Sequence, residues 1–325
     1  MCFRFRESEL IKPILQSCNL NDSTTLKQLH MKRIIDRYTC NTIGPLVFIT
    51  AAVHGNEPSG VKALEEVFSQ LRASKAQING TLIGLRGNRG ALEKGVRFID
   101  EDLNRTWKPI KIAKQIKDTH EELEMEEIIE ILDMELAHHK GQKAYFLDCH
   151  TTSSQSAPYM SVQVKNDNDE WAHRFPTYIV RGFSDIVNGS IDHYFTDRGL
   201  TGFTFEAGQH DDPASARHHQ SMIWLMLKEA CDLDLTQIKT HPQCVESLKN
   251  EAPDQKTFEI IHRHEIKDGD DFKMKAGFDN FQKISKGELL AHNNGAELKS
   301  TWNARIFMPL YQGQGNDGFF VIEEV

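Results

Sequence analysis

The chain has no long apolar run. No stretch approaches the roughly 18 consecutive apolar residues that a membrane-spanning helix needs. The opening Met1-Cys2-Phe3-Arg4-Phe5-Arg6-Glu7 lacks the apolar core of a secretory signal. Cysteine is scarce. The six in 325 residues, Cys2, Cys18, Cys40, Cys149, Cys231 and Cys244, form no C-x-x-C pair. That spacing excludes a thiolate zinc knuckle and a dithiol redox pair, and it suits a reducing compartment. Positive charge is in deficit, with 38 Lys and Arg against 47 Asp and Glu, a net charge of −9. Such a chain is a poor binder of phosphate backbones. Internal repeats and low-complexity stretches are also missing. The expectation is a cytoplasmic globular protein with neither nucleic acid nor membrane as partner. Its length allows one large domain or two.

What is there alternates strand and helix. Met31 to Tyr38 reads as a strand. Leu46-Val47-Phe48-Ile49-Thr50-Ala51-Ala52-Val53 is a continuous apolar run, the pattern of a strand buried on both faces. After Pro58 a helical period runs through Val61, Leu64, Val67, Phe68 and Leu71. Thr81 to Leu85 is a second core strand. His120 to His139 reads as an acidic amphipathic helix with Leu123, Ile128, Ile131, Leu132 and Leu136 inward. Ala144 to Cys149 is a strand ending at His150, and Gly202 to Phe205 is one ending at Glu206. Asp212-Pro213 opens a last helix over 214–233. This order predicts an α/β/α sandwich with a largely parallel or mixed sheet, its chemistry at the carboxyl ends of the strands. From Thr257 the segments are short, β-like and turn-separated, so residues 1–240 are expected to form the catalytic domain and 241–325 a small all-β domain.

Four clusters can carry chemistry. His54-x-x-Glu57 follows a buried strand, and imidazole and carboxylate suit zinc. A catalytic zinc keeps three protein ligands and one open position, and His150 is the available third. Alone, H-x-x-E is weak, and Glu57 would equally suit a helix N-terminus. The run Arg97-Phe98-Ile99-Asp100-Glu101-Asp102-Leu103-Asn104-Arg105 offers two guanidiniums for a carboxylate, or a surface salt-bridge patch. Asp148-Cys149-His150 puts a carboxylate and an imidazole on one side of a strand, where the first can orient the second. A serine triad through Ser153 would need a G-x-S-x-G elbow, which is missing. Glu206 closes an apolar strand, where desolvation raises a carboxyl towards general-base range. His210, His218 and His219 read as a polar loop and helix face, and His262 and His264 as an exposed strand face.

In this order the clusters resemble the succinylglutamate desuccinylase/aspartoacylase family, relatives of the zinc carboxypeptidases. The resemblance takes in His54-Gly55-Asn56-Glu57, Asp102-Leu103-Asn104-Arg105, Asp148-x-His150 and Phe205-Glu206-x-Gly208. It covers most of the chain. Gly277-Phe278, Lys286-Gly287-Glu288-Leu289-Leu290 and Pro309-Leu310-Tyr311-Gln312 look like the family's C-terminal domain. The resemblance implies one zinc per chain on His54, Glu57 and His150. It implies Glu206 as general base and later proton donor, and Arg97 as polariser of the scissile carbonyl. Asn104 and Arg105 would hold a substrate carboxylate, and Tyr311 would close over the substrate from the tail. The implied activity is cleavage of the amide of a small anionic N-acyl amino acid. The alternatives are a metallocarboxypeptidase acting on peptides and a non-catalytic zinc-binding protein. Self-association as a homo-oligomer stays open. The family's upstream tyrosine and arginine are matched only in region, by Tyr194 and Arg198 at a different spacing, which leaves the acyl group and the amino acid open.

Overall fold

The computed structural model describes residues 33–40 and 43–325. The heptad Met1–Glu7 and the first two residues of the strand expected at 31–38 lie outside them. Among the described residues seven strands precede residue 240: β1 (Ile34–Thr39), β2 (Leu46–Ala51), β3 (Thr81–Arg86), β4 (Ala144–Thr152), β5 (Tyr159–Val162), β6 (Tyr178–Arg181) and β7 (Thr201–Gln209). The four in the middle, in the order β3-β2-β4-β7, run parallel. β1 pairs antiparallel with β3 at the edge, and β5 antiparallel with β7.

Alternation along β2 explains the layers. Val47, Ile49 and Ala51 face one side of the sheet, and Leu46 and Phe48 the other. Helix α1 (Ser59–Ser74) covers the first face with Val61, Leu64, Val67, Phe68 and Leu71, as its period requires. Helix α2 (His120–His138) covers the second with Met125, Ile128, Ile131 and Leu132. Helix α3 (Pro213–Cys231) joins α1 on the first face through Met222, Ile223, Trp224, Met226 and Leu227. Each such side chain contributes about 1.5–3 kcal/mol on burial. The result is the expected α/β/α sandwich.

Three local expectations need correction. Leu123 is 48% exposed, and Met125 takes the inward position. The first turns of α2 instead turn Glu121, Glu122 and Glu124 inward, because each has backbone or guanidinium partners there. His218 and His219 are buried rather than on a polar face. His218 Nδ1 bonds the Ala207 carbonyl, and His219 Nδ1 bonds Ser59 Oγ. His262 and His264 are half-buried and lie against Trp302, Phe319 and Phe272. An unforeseen helix spans His241–Glu251, with Pro242 in its first turn, where a missing N–H costs nothing.

The tail continues the sheet. β8 (Thr257–Glu265) pairs parallel with β6. β9 (Phe272–Met274), β10 (Lys283–Ile284), β11 (Leu289–Asn293), β12 (Ala296–Lys299), β13 (Ala304–Phe307) and β14 (Asp317–Glu324) follow. β14, β13 and β10 extend the large sheet beyond β8 to eleven strands, while β12, β11 and β9 make a separate three-stranded sheet. Aromatic edges of Tyr159, Phe258, Phe281, Phe307 and Phe320 lock the two parts together.

Candidate active site

The carboxyl ends of β2, β4 and β7 meet at one cleft. β2 stops because Ala52 turns into the left-handed region, φ +57°, a strained position for a residue with a Cβ. The carbonyls of Ala51 and Ala52 accept from the N–H groups of Gly87 and Asn88 at 2.7 and 2.8 Å, which holds that turn. Gly55 then passes so close to Ala91 that a Cβ would lie 2.1 Å from its carbonyl carbon. Its N–H donates to the Arg97 carbonyl at 3.1 Å. The motif is therefore wedged against the loop that carries Arg97.

His150 ends the apolar part of β4 and lies in register with Glu206 of β7. His54 Nδ1 is 2.9 Å from Glu57 Oε1, and His150 Nδ1 is 3.1 Å from Glu57 Oε2. The potential ligand atoms of the three residues lie within 4.8 Å of one another, and all three residues are buried. Each outer ring nitrogen faces a carboxylate. His54 Nε2 is 3.1 Å from Asp102 Oδ1, and His150 Nε2 is 2.7 Å from Asp148 Oδ2. Thr50 donates its hydroxyl to the other Asp148 oxygen at 2.6 Å.

These contacts set the tautomer. A carboxylate only accepts, so each Nε2 carries a proton towards its carboxylate, and each Nδ1 is turned to Glu57. Two ring nitrogens and a carboxylate facing each other at about 3 Å require a cation between them, either protons or a metal. The charge balance agrees. Burial alone would raise the Glu57 carboxyl, but His54 and His150 hold it well below its usual range. Burial alone would lower His150, but Asp148 and Glu57 lift it well above its usual value. The donor set, two imidazoles and a carboxylate with outer carboxylates behind them, fits zinc.

The remaining expected residues are placed as follows. Arg97 lines the cleft, its Nε and Nη2 donating to Asp102 Oδ2 at 3.1 and 2.9 Å and its Nη1 lying 3.6 Å from Glu57. Asn104 lines it too, with Oδ1 accepting from Ile191 N–H. Arg105 lines it while paired with Asp317 at 2.7 Å. Glu206 is buried, and among the described residues its Oε2 has no hydrogen-bond partner. Burial pushes its carboxyl up to about 8, against the pull of His150. Tyr311 does not line the cleft. Its hydroxyl accepts from Phe278 N–H and donates to the Lys275 carbonyl, and the residue is 37% exposed. Gln312 reaches in instead, its Oε1 accepting from Asn56 Nδ2 at 3.0 Å and standing 3.2 Å from His210 Nε2. Tyr194 and Arg198 bond each other and Asp133, away from the cleft.

Glu121, Asp192 and Asp317 were not foreseen as parts of this region. Glu121 is fully buried at the start of α2 and accepts four hydrogen bonds, from Asn88 Nδ2 and the N–H groups of Ile99, Asp100 and Glu101. It clamps the loop between Arg97 and Asp102. The only sequence sign was a glutamate beside a capping threonine, Thr119.

Fold and site together define a class, an α/β/α sandwich with a His-Glu-His group at its strand ends and a carboxylate beside it. Residues 43–227, more than half of the chain, match the succinylglutamate desuccinylase/aspartoacylase catalytic domain, and the chain belongs to that family. Among similar curated proteins is a succinylglutamate desuccinylase of Pseudoalteromonas atlantica. It is 22% identical over 275 residues, which is 79% of this chain and 74% of the relative. Another, from Shewanella pealeana, is 25% identical over 274 residues, 77% of this chain and 73% of the relative. The fold is also that of the succinylglutamate desuccinylase/aspartoacylase of Rhodobacter sphaeroides, with a TM-score of 0.63 at 17% identity, covering 88% of this chain and 87% of that one. An ectoine utilization protein of Ruegeria pomeroyi, solved with product bound, gives a TM-score of 0.62 at 18% identity, covering 89% and 87%.

Proposed function

We propose that the protein is a zinc-dependent hydrolase that cleaves the amide bond of a small N-acyl amino acid. The observation that carries the reading is the convergence of His54 Nδ1, His150 Nδ1 and Glu57 on one point, beside the buried, unpartnered oxygen of Glu206. His54, Glu57 and His150 hold the ion. Bound there, zinc supplies Lewis acidity, polarising a carbonyl and acidifying water towards neutrality.

The chain's own residues do the rest. Glu206 takes the proton of the attacking water and returns it to the leaving nitrogen. A carboxyl raised to about 8 is suited to both directions near neutral pH. Arg97, held in place by Asp102, faces the developing oxyanion, an interaction of roughly 3–4 kcal/mol in comparable sites. Asn104 and Arg105 hold a substrate carboxylate. The family relatives named as desuccinylases support the N-acyl amino acid as substrate class. The division into a catalytic part, 1–240, and a part covering the cleft, 241–325, belongs to the same proposal. It is supported by Gln312, Gln314 and Asp317, which bond Asn56, Arg97 N–H and Arg105 across the cleft mouth. That covering favours a small substrate over a peptide. The scattered cysteines support a cytoplasmic location. Among the described residues no helix is long and apolar enough to cross a membrane.

The test is free-amine release by the zinc-loaded protein from acetyl and succinyl amino acids and short peptides. Selective cleavage of N-acyl amino acids is expected. Cleavage of the peptides alone would make the protein a carboxypeptidase, and silence across the panel would contradict both readings.

A further inference from the structure

The cleft extends past the metal-binding group. Its floor follows β7 back from Glu206 to Thr204, about 7 Å along the strand, where Thr204 pairs with Ser161 of β5. Asp192 also lines this cleft, bonded to Gln163 two residues beyond Ser161. Asp192 is 4% exposed, and its Oδ2 accepts from the Gln163 amide at 2.7 Å. Among the described residues no Lys, Arg or His lies within ion-pair distance of it. The first turn of the short helix Ile191–Asp197 and the Gln163 amide help to hold the charge. They do not neutralise it. A buried carboxylate without a cation is costly, and a ligand cation removes that cost.

A cation also stands at the same end of the cleft. Asn104 accepts from the N–H of Ile191, which ties the segment carrying Asp192 to the loop carrying Arg105. Arg105 is already met by Asp317, and Arg97 by Asp102. Glu57 belongs to the metal group, so it is Asp192 and Asp317 that the lining sets against these two guanidiniums on this side of the cleft, and of the two only Asp317 has a guanidinium partner. This charge pattern complements a zwitterion better than a dianion.

We propose that Asp192 receives a cationic group on the amino-acid half of the substrate, so that the substrate is an N-acyl basic amino acid. Its carboxylate meets Arg105 and its ammonium or guanidinium meets Asp192, with the hydroxyls of Ser161 and Thr204 beside it. The inference rests on reading the cleft as that of an N-acyl amino acid hydrolase. It fills in the amino-acid half that the sequence left open.

The test compares acetyl and succinyl derivatives of L-ornithine, L-norvaline and L-glutamate as substrates of the zinc-loaded protein. Norvaline has the ornithine side chain without its charge. The ornithine derivative should exceed the norvaline one in kcat/KM by about 10- to 100-fold, the usual weight of one charged hydrogen bond. Asp192→Asn keeps the shape and a Gln163 contact, and it should bring that ratio down to near one. Asp192→Glu lengthens the carboxylate arm and should move the preference to the diamino acid one methylene shorter, which covers the case of an unstable asparagine variant. A preference for glutamate, or a ratio unmoved by Asp192→Asn, would overturn the proposal. If no derivative is cleaved, the hydrolase reading fails, and calorimetric binding still decides the subsite. L-ornithine should bind the zinc-loaded wild type about tenfold tighter than L-norvaline, and equal binding would overturn it.

Discussion

In the proposed mechanism the chemistry turns on Glu206, and two changes isolate it. Glu206→Gln should lower kcat by about 10²–10⁴-fold, the range of a lost general base, while bound zinc stays near that of the wild type. Full activity in the variant would remove Glu206 from the mechanism. The metal-free protein provides a pH signature. The folded carboxyl stands at about 8 against an ordinary 4.5. Below that ordinary value both folded and unfolded states are protonated, and the group has no effect. Between the two values only the unfolded chain ionises, so stability falls as pH rises, and the loss is complete above about 8. Urea unfolding should therefore show Glu206→Gln gaining on the wild type across that window, and a constant gap would contradict the raised value. The carboxylate behind His150 has its own readout. Asp148→Asn should weaken zinc affinity by about 10- to 100-fold, measurable by competition with a chelating dye. The residues legible in the sequence were those that end apolar strands, His54, His150 and Glu206, with Glu57 one helical step on. Asp192 and Asp317 were not legible, because their partners Gln163, Arg105 and Arg263 are joined to them only by tertiary packing.

At the scale of elements, periodicity worked where apolar contact decides and failed where polar contact does. β2 and α1 bury the residues their patterns name. The start of α2 does not, since Glu121 and Glu124 point inward and Leu123 outward. A helix rule weighs apolar side chains only, whereas Glu121 repays its burial with four hydrogen bonds. Glu121→Gln replaces one accepting oxygen with an amide nitrogen that cannot accept. Two donors then lose their partner, at about 1–3 kcal/mol each. Urea unfolding should show that loss, together with weaker zinc binding, because the loop seats Asp102 behind His54. An unchanged stability would mean that the clamp carries no load.

For the whole molecule, strand order brings the site together. β2, β4 and β7 are neighbours in the sheet although a hundred residues or more separate His54 from Glu206 in the chain. The parallel order was readable from strand-helix alternation. The continuation of the sheet through β8 and β14 was not, since short tail strands carry no signal of which edge they join. The placement of Gln312 rather than Tyr311 in the cleft depends on that docking. The proposed metal, held jointly by the end of β2 and the end of β4, would also tie the sheet together. Zinc at a hundred times its dissociation constant should stabilise the fold by about 2.7 kcal/mol, and His150→Ala should abolish the gain.

The most direct measurement is zinc per chain after equilibrium dialysis, for the wild type and for His54→Ala, Glu57→Gln and His150→Ala. The account predicts one zinc per wild-type chain and a large loss of binding in each variant. A wild type that retains none, or variants that retain as much as the wild type, would contradict it.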